Sequence, residues 1–246
     1  MRQIGKFLLC KLTVGEIVDT WKIRRLLGEG GFGAVYEVVN TKTELSYAMK
    51  TELMSEALKV LKMEVYVMRQ ANTNKAKHIV QCEDTGSYND FLYVVMTMVG
   101  KSLQDVRKMC PGQKFSLGTA LSIGIQSLEA IEELHQIGFL HRDIKPSNFA
   151  IGRPEINELR KVYLLDFGMC RRYTDDNKQI RRPRSVAGFR GTIRYAPLSC
   201  HIRRETCRKD DIESWLYQQI EITRGALPWR SLEEKNEVCF LSSDMT

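Results

Sequence analysis

Long apolar runs are missing from this chain. No stretch approaches the roughly 18 residues needed to span a bilayer, so no membrane partner is expected. The seven cysteines, Cys10, Cys82, Cys110, Cys170, Cys200, Cys207 and Cys239, are odd in number and contain no C-x-x-C pair. That argues against a disulfide framework and for a reduced cytoplasmic or nuclear setting. Cys200-His201 with Cys207 comes nearest to a zinc site but lacks a fourth ligand at recognisable spacing. A cleavable leader is not expected either. The basic start and short apolar patch of residues 1–10 run into Lys11 without a small-residue cleavage site. What is present is ordinary: 246 residues, 43% apolar and 27% charged, enough for a sizeable core in one or two domains. The net charge of +7 suits an anionic partner such as ATP, an acidic peptide or a microtubule-like surface. Charge alone is too thin a basis to expect nucleic acid.

The most informative stretch is His141-Arg142-Asp143-Ile144-Lys145-Pro146-Ser147-Asn148, followed 18 residues later by Asp166-Phe167-Gly168. In this order the two strings read as a protein-kinase catalytic loop and its metal-binding turn. Phosphoryl transfer leaves a protein little covalent work; it needs positioning and charge neutralisation. Asp143 can orient a substrate hydroxyl, and Lys145 can offset charge on the group in flight. Asn148 and Asp166 offer the hard oxygen ligands that Mg²⁺ requires.

Upstream, strands are expected over 23–27 and 34–39 with Gly28-Glu29-Gly30-Gly31-Phe32-Gly33 between them. A G-x-G-x-x-G string also opens helices in dinucleotide folds. Here β-formers follow it, with Val35 two places after the last glycine, which is the kinase form of a hairpin over phosphates. Leu27, Gly28, Glu29, Gly30, Gly31, Phe32, Gly33, Ala34 and Val35 are therefore candidate ATP-binding residues. A turn over 40–43 leads to a third strand over 45–50, ending Ala48-Met49-Lys50. Lys50 is the candidate for the α- and β-phosphates. A helix is expected over 55–70, apolar at Leu58, Leu61, Val65 and Met68. Glu64 shares that apolar face and is the expected ion-pair partner of Lys50, with Glu56 as competitor. Strands over 79–85 and 91–98 flank a turn over 86–90, and residues 97–100 read as a hinge. Ala48, Met96 and Val99 join the nucleotide-site candidates.

In the second half a short helix over 101–109 is broken by Pro111-Gly112. Ser116 is the expected N-cap of a helix over 117–137, with Leu121, Ile125, Leu128, Ile131 and Leu134 as one apolar stripe and Gly138 past its end. Short β segments over 149–151 and 162–165 follow. Ala150 is the expected floor of the adenine pocket. Residues 166–197 form the activation segment, rich in arginine. Arg184, Arg190 and Arg194 are its candidate substrate anion site. Gly191-Thr192 would bring Thr192 near Asp143 and Lys145, making it the fourth candidate catalytic residue with Asn148. Kinases commonly close this segment with Ala-Pro-Glu; here Ser199 stands at the Glu position. A buried helix begins near Asp210, apolar at Ile212, Trp215, Leu216 and Ile220, with Asp211 expected to brace the catalytic loop.

These residues together resemble the casein kinase I superfamily, and within it the tau-tubulin kinase branch. The resemblance runs over about 14–238. It rests on Lys145-Pro146-Ser147-Asn148-Phe149-Ala150, Val186-Ala187-Gly188-Phe189-Arg190-Gly191-Thr192, the missing Ala-Pro-Glu and Leu227-Pro228-Trp229-Arg230. It implies an α+β, bilobal protein-kinase fold: a small antiparallel-sheet lobe with one helix over about 16–98 and a mainly helical large lobe over about 101–238. Residues 1–15 would be an extension and 239–246 a divergent tail. It further implies a serine/threonine kinase using ATP and Mg²⁺, with no obligatory phosphorylation of the activation segment. Protein substrates with acidic or pre-phosphorylated sites are implied, cytoskeletal proteins among them. Arg194 matches the family's phosphate-binding arginine, whereas Glu233 stands where many relatives carry Lys. A catalytically silent kinase fold serving as a binding module is the alternative. The resemblance also implies three further large-lobe helices after the Pro-Trp corner, so a shortened chain is expected. Several hundred Å² of uncovered apolar surface costs roughly 10 kcal/mol at about 25 cal/mol per Å², comparable to a whole domain's stability. The isolated polypeptide is therefore expected to be unstable or to aggregate; a cooperative melt well above body temperature, followed by circular dichroism, would contradict this.

Overall fold

The computed structural model describes residues 12–30, 33–55 and 60–230. The chain divides into two compact units, residues 1–69 with 80–98, and residues 70–79 with 99–246. The division differs from the continuous small lobe expected from sequence, because residues 70–79 belong with the second unit. There Lys77 and His78 donate their backbone N–H groups to Glu133, at 2.8 and 2.9 Å, and Leu164 N–H donates to His78 O at 2.7 Å.

The first unit is a six-stranded antiparallel sheet in the order β1-β2-β3-β4-β6-β5. Its strands are β1 (Ile17–Val18), β2 (Trp21–Gly30), β3 (Gly33–Asn40), β4 (Ser46–Leu53), β5 (Cys82–Tyr88) and β6 (Phe91–Thr97). β5 starts later than expected, since Ile79 instead bridges to Leu164. It also runs further, leaving a two-residue turn with Asn89 in the left-handed region at φ 49°. Alternation along the strands separates two faces. Trp21, Ile23, Tyr36, Val38, Met49, Phe91, Tyr93 and Val95 form the core. The pairing places Val35 opposite Lys50, and Ala48 opposite Met96, on the other face. The helix α1 (Val60–Thr73) buries Leu61, Glu64, Val67, Met68 and Ala71, a helical spacing that carries a carboxylate on its inner stripe. Glu56 and Leu58 lie outside the described residues.

The second unit holds the helices α2 (Leu103–Met109), α3 (Leu117–Gln136), α4 (Leu198–His201) and α5 (Arg208–Arg224). Two short antiparallel pairs accompany them: β7 (Phe139–Leu140) with β10 (Arg171–Arg172), and β8 (Phe149–Ile151) with β9 (Val162–Leu164). The Ser116 hydroxyl caps α3 by accepting from Thr119 N–H at 3.3 Å, and Gly138 follows its end with φ 87°. No helix among the described residues is long and apolar enough to cross a membrane.

Two helix faces differ from expectation. On α3 the buried stripe is Ala120, Ile123, Gly124, Ser127, Ala130, Ile131 and Leu134, while Leu121, Ile125 and Leu128 are exposed. At 3.6 residues per turn these three lie roughly 130° around the helix from the buried set. What reads as one stripe is two. On α5 the buried face is mostly polar: Asp210, Asp211, Glu213, Ser214, Gln218 and Glu221 join Tyr217 and Ile222. Leu216, expected inside, is 43% exposed. Burying so many polar groups is tolerable only where each finds partners. Asp211 finds them in the catalytic loop and His135, Glu213 in Leu198 and Tyr217, and Glu221 in Tyr195 and Arg107, whereas the Gln218 amide has no hydrogen-bond partner among the described residues.

Candidate active site

In the first unit the glycine-rich string is itself part of the ladder. Gly28 pairs with Val35, Glu29 with Ala34 and Gly30 with Gly33, so the string is the tip of a β-hairpin and opens no helix. Gly31 and Phe32 lie outside the described residues; Leu27 is exposed and Ala34 buried. Gly33 is fixed by close approach: a Cβ there would lie 1.7 Å from Thr51 O. Thr51, one residue past Lys50, also donates its hydroxyl to Ala34 O at 3.2 Å. The hairpin is thereby stitched to the strand that bears Lys50. No motif advertises Thr51. Lys50 Nζ lies 2.5 Å from Glu64 Oε1, whose side chain is 3% exposed. Such a pair holds an ammonium in one place, as the phosphate-binding lysine of a kinase requires.

In the second unit four of the sequence candidates meet. Asp143 Oδ2 accepts from Lys145 Nζ at 2.6 Å and from Asn148 Nδ2 at 3.2 Å. Asp143 Oδ1 accepts from the backbone N–H of Thr192 at 2.9 Å and from its hydroxyl at 2.8 Å. Lys145 also donates to Thr192 Oγ1, at 2.8 Å. Gly191 makes the approach possible, because a Cβ there would lie 2.7 Å from Arg142 O. Asn148 Nδ2 further donates to Asp143 O at 2.9 Å. Leu165 N–H donates to Asn148 O at 2.8 Å, which ties the residue before Asp166 to Asn148. Asp166 adopts a left-handed backbone, φ 61° and ψ 77°, a costly conformation for a non-glycine residue that recurs at functional turns. Val99 precedes Gly100, whose N–H donates to Ile151 O at 2.7 Å, and Ala150 is buried and bridged to Ser102.

The loop is held from below by α5. Asp211 Oδ2 accepts from His141 N–H at 2.9 Å and lies 2.8 Å from His135 Nε2; Asp211 Oδ1 accepts from Arg142 N–H at 2.9 Å. His141 in turn accepts from Asp143 N–H at Nδ1, 3.3 Å, and lies 3.0 Å from Leu165 O through Nε2. A carbonyl can only accept and an amide only donate, which assigns the Nε2–H tautomer. His135, in the last turn of α3, carries no sequence signal beyond being a histidine near a helix end.

The candidate anion trio does not form one cluster. Arg184 forks onto Glu205, at 2.5 and 3.0 Å, and Arg194 donates to Arg230 O at 3.3 Å. Arg190 is exposed. At the segment's end Ser199 Oγ donates to Asp210 at 2.8 Å and Leu198 N–H to Glu213 at 2.7 Å. The Tyr195 hydroxyl donates to Glu221, which faces Arg107 at 3.5 Å; both ions are essentially unexposed. Burial first, then Glu221, pushes the Tyr195 pKa far above the usual phenol range. Among the described residues no three His, Cys, Asp or Glu side chains are placed to hold a metal ion. An Asn–Asp pair is a different donor set, and Asn148 and Asp166 offer the hard oxygens that Mg²⁺ takes.

A carboxylate, an ammonium and a hydroxyl joined in one network suit the handling of phosphoryl groups. The chain matches the protein kinase domain family over residues 21–240. It is 39% identical over 214 residues to the serine/threonine-protein kinase spe-6 of Caenorhabditis elegans, covering 87% of this chain and 55% of that one. It is 34% identical over 218 residues to casein kinase I homolog 2 of Saccharomyces cerevisiae, covering 88% and 39%. The solved structure of vaccinia related kinase 3 superposes with a TM-score of 0.82 at 19% identity, covering 97% of this chain and 77% of that one. The chain belongs to the protein kinase family, with casein kinase I homologues among its relatives, and has the α+β kinase fold. It spans about half the length of the curated relatives it matches.

Arg107→Met would leave the buried Glu221 charge without its cation. Urea unfolding should show a loss of about 3–5 kcal/mol, much of it recovered when Glu221 is also replaced by an apolar residue. A loss under about 1 kcal/mol would show that the pair carries no such weight.

Proposed function

We propose that this chain is itself a protein serine/threonine kinase, moving the γ-phosphoryl group of ATP to serine and threonine hydroxyls of protein substrates. One observation supports this most: the Asp143 carboxylate is held from both sides, by Lys145 and Asn148 on Oδ2 and by Thr192 on Oδ1. A carboxylate so fixed can receive the hydrogen of an incoming hydroxyl and aim its oxygen, while the Lys145 ammonium beside it offsets charge on the transferring group. Thr192 ties the activation segment to both residues, so the acceptor platform and the catalytic loop hold a common register. Lys50, fixed by Glu64, is the first unit's candidate for the nucleotide phosphates. Asn148 and Asp166 are the residues that would hold Mg²⁺, which when bound neutralises phosphate charge.

The acceptors are proposed to be acidic or pre-phosphorylated sites. The net charge of +7 and the placement of Arg190 and Arg194 on either side of Gly191-Thr192 support this, with Arg184 removed from the set by its fork onto Glu205. The protein is proposed to act in the cytoplasm or nucleus; the five described cysteines are all free thiols.

The test is phosphate transfer from radiolabelled ATP with Mg²⁺ to an acidic serine/threonine substrate such as casein. Wild-type protein should transfer label and Asp143→Asn should not. Thr192→Val removes hydroxyl bonds to two charged groups and keeps the backbone bond. It should lose roughly 10–100-fold in kcat/KM, as expected for bonds worth about 1.5–3 kcal/mol, while Thr192→Ser stays close to wild type. Equal background from wild type and Asp143→Asn would instead mark the chain as a silent binding module.

A further inference from the structure

Three arginines from separate stretches of the second unit gather at one place. Arg142 immediately precedes Asp143, Arg171 opens β10 just past the Asp166 turn, and Arg184 lies midway along the activation segment. Arg142 is half-buried and donates from Nε to Met169 O at 2.7 Å. Burial, and next the charge of Arg171, lower its pKa, with Arg184 adding to the effect. Like charges gathered this way push their segments apart unless an anion lies among them. In kinases a phosphate on the activation loop is one such anion, ordering the loop through new arginine pairs.

Here a carboxylate already lies at that place. Glu205 Oε1 is 3.2 Å from Arg171 Nε and accepts from Arg184 Nη2 at 3.0 Å. Glu205 Oε2 accepts from Arg184 Nε at 2.5 Å and from Arg184 N–H at 3.3 Å. The side chain is 12% exposed. The Arg184 guanidinium holds the Glu205 carboxyl below the usual range, against the opposing effect of burial. Glu205 sits in the link between α4 and α5, shortly before Asp211. One short stretch therefore grips both the arginine cluster and the backbone of His141 and Arg142.

We propose that Glu205 is a positioning residue: an internal carboxylate that balances Arg142, Arg171 and Arg184 and keeps Thr192 on Asp143 and Lys145 with no phosphoryl group on the activation segment. Its catalytic consequence rests on the kinase reading above; its anion chemistry does not. Without the carboxylate, Arg171 and Arg184 lose the anion they share, with the charge of Arg142 near them, and that is a site for inorganic phosphate.

The experiment compares wild type, Glu205→Asp and Glu205→Gln in two measurements. Inorganic phosphate binding is followed by ³¹P line broadening, and transfer to casein by steady-state kinetics. Glu205→Gln should bind phosphate at least roughly tenfold more tightly than wild type. Its kcat/KM should fall by about tenfold or more and recover in part when phosphate is added, with Glu205→Asp in between. Phosphate binding no tighter than wild type overturns the proposal, as does lost transfer that phosphate does not restore, since such a loss reports only damaged packing. Should wild type transfer nothing, the kinase reading fails and the phosphate measurement still decides the cluster. Should Glu205→Gln not fold, Arg184→Gln opens the same clamp: faster proteolytic nicking within 173–190 than in wild type supports the proposal, and unchanged nicking overturns it.

Discussion

The second unit depends on one buried carboxylate, that of Asp211. It is 3% exposed, and its two oxygens meet the backbone N–H groups of His141 and Arg142 and the ring of His135. Backbone donors fix a chain path more firmly than side-chain contacts do, because the peptide planes they belong to have only two soft dihedrals per residue. Arg142 needs such fixing, since it holds a left-handed backbone at φ 67° that a non-glycine residue adopts only when its surroundings impose it. Asp143, the next residue, inherits its direction from that constraint.

The same logic explains why α5 buries charge. A helix whose only task was to fill a core would turn leucines inward. This one turns in Asp211 for the catalytic loop, Glu213 for Leu198 and Tyr217, and Glu221 for Tyr195 and Arg107. Asp211 binds the catalytic loop, while Glu213 and Glu221 reach the start of α4, the end of the activation segment and α2. The unusual end of the activation segment follows. Where kinases commonly use a Glu in Ala-Pro-Glu, Ser199 here bonds to Asp210 and the neighbouring backbone to Glu213. Anchorage has moved from the segment to the helix.

Much of this was legible in the sequence because kinase chemistry sits in short strings. Residues 141–148 and 166–168 carry their spacing with them, and Glu64 shows itself by sharing an inner stripe with Leu61 and Met68. The hairpin reading followed from the β-formers after Gly33. Partners remote in sequence were not legible. Thr51 beneath Gly33, His135 beside Asp211 and Glu205 among the arginines are ordinary residues until folding brings them to a second group. Periodicity also failed where two stripes share a helix: Leu121, Ile125 and Leu128 have helical spacing but face outward. On α5 Leu216 faces outward and Ile212, Trp215 and Ile220 are only half-buried, because bonded acids occupy much of the inner face.

The most direct measurement is amide hydrogen exchange at His141 and Arg142 in wild type and in Asp211→Asn. The substitution keeps the shape and removes one acceptor oxygen along with the charge. If Asp211 sets the catalytic loop, protection of these two amides should fall by about 10–100-fold, the worth of a hydrogen bond to a charged group, while amides in β8 and β9 keep theirs. Unchanged protection at both positions would contradict that role and leave the loop's geometry without the cause assigned to it.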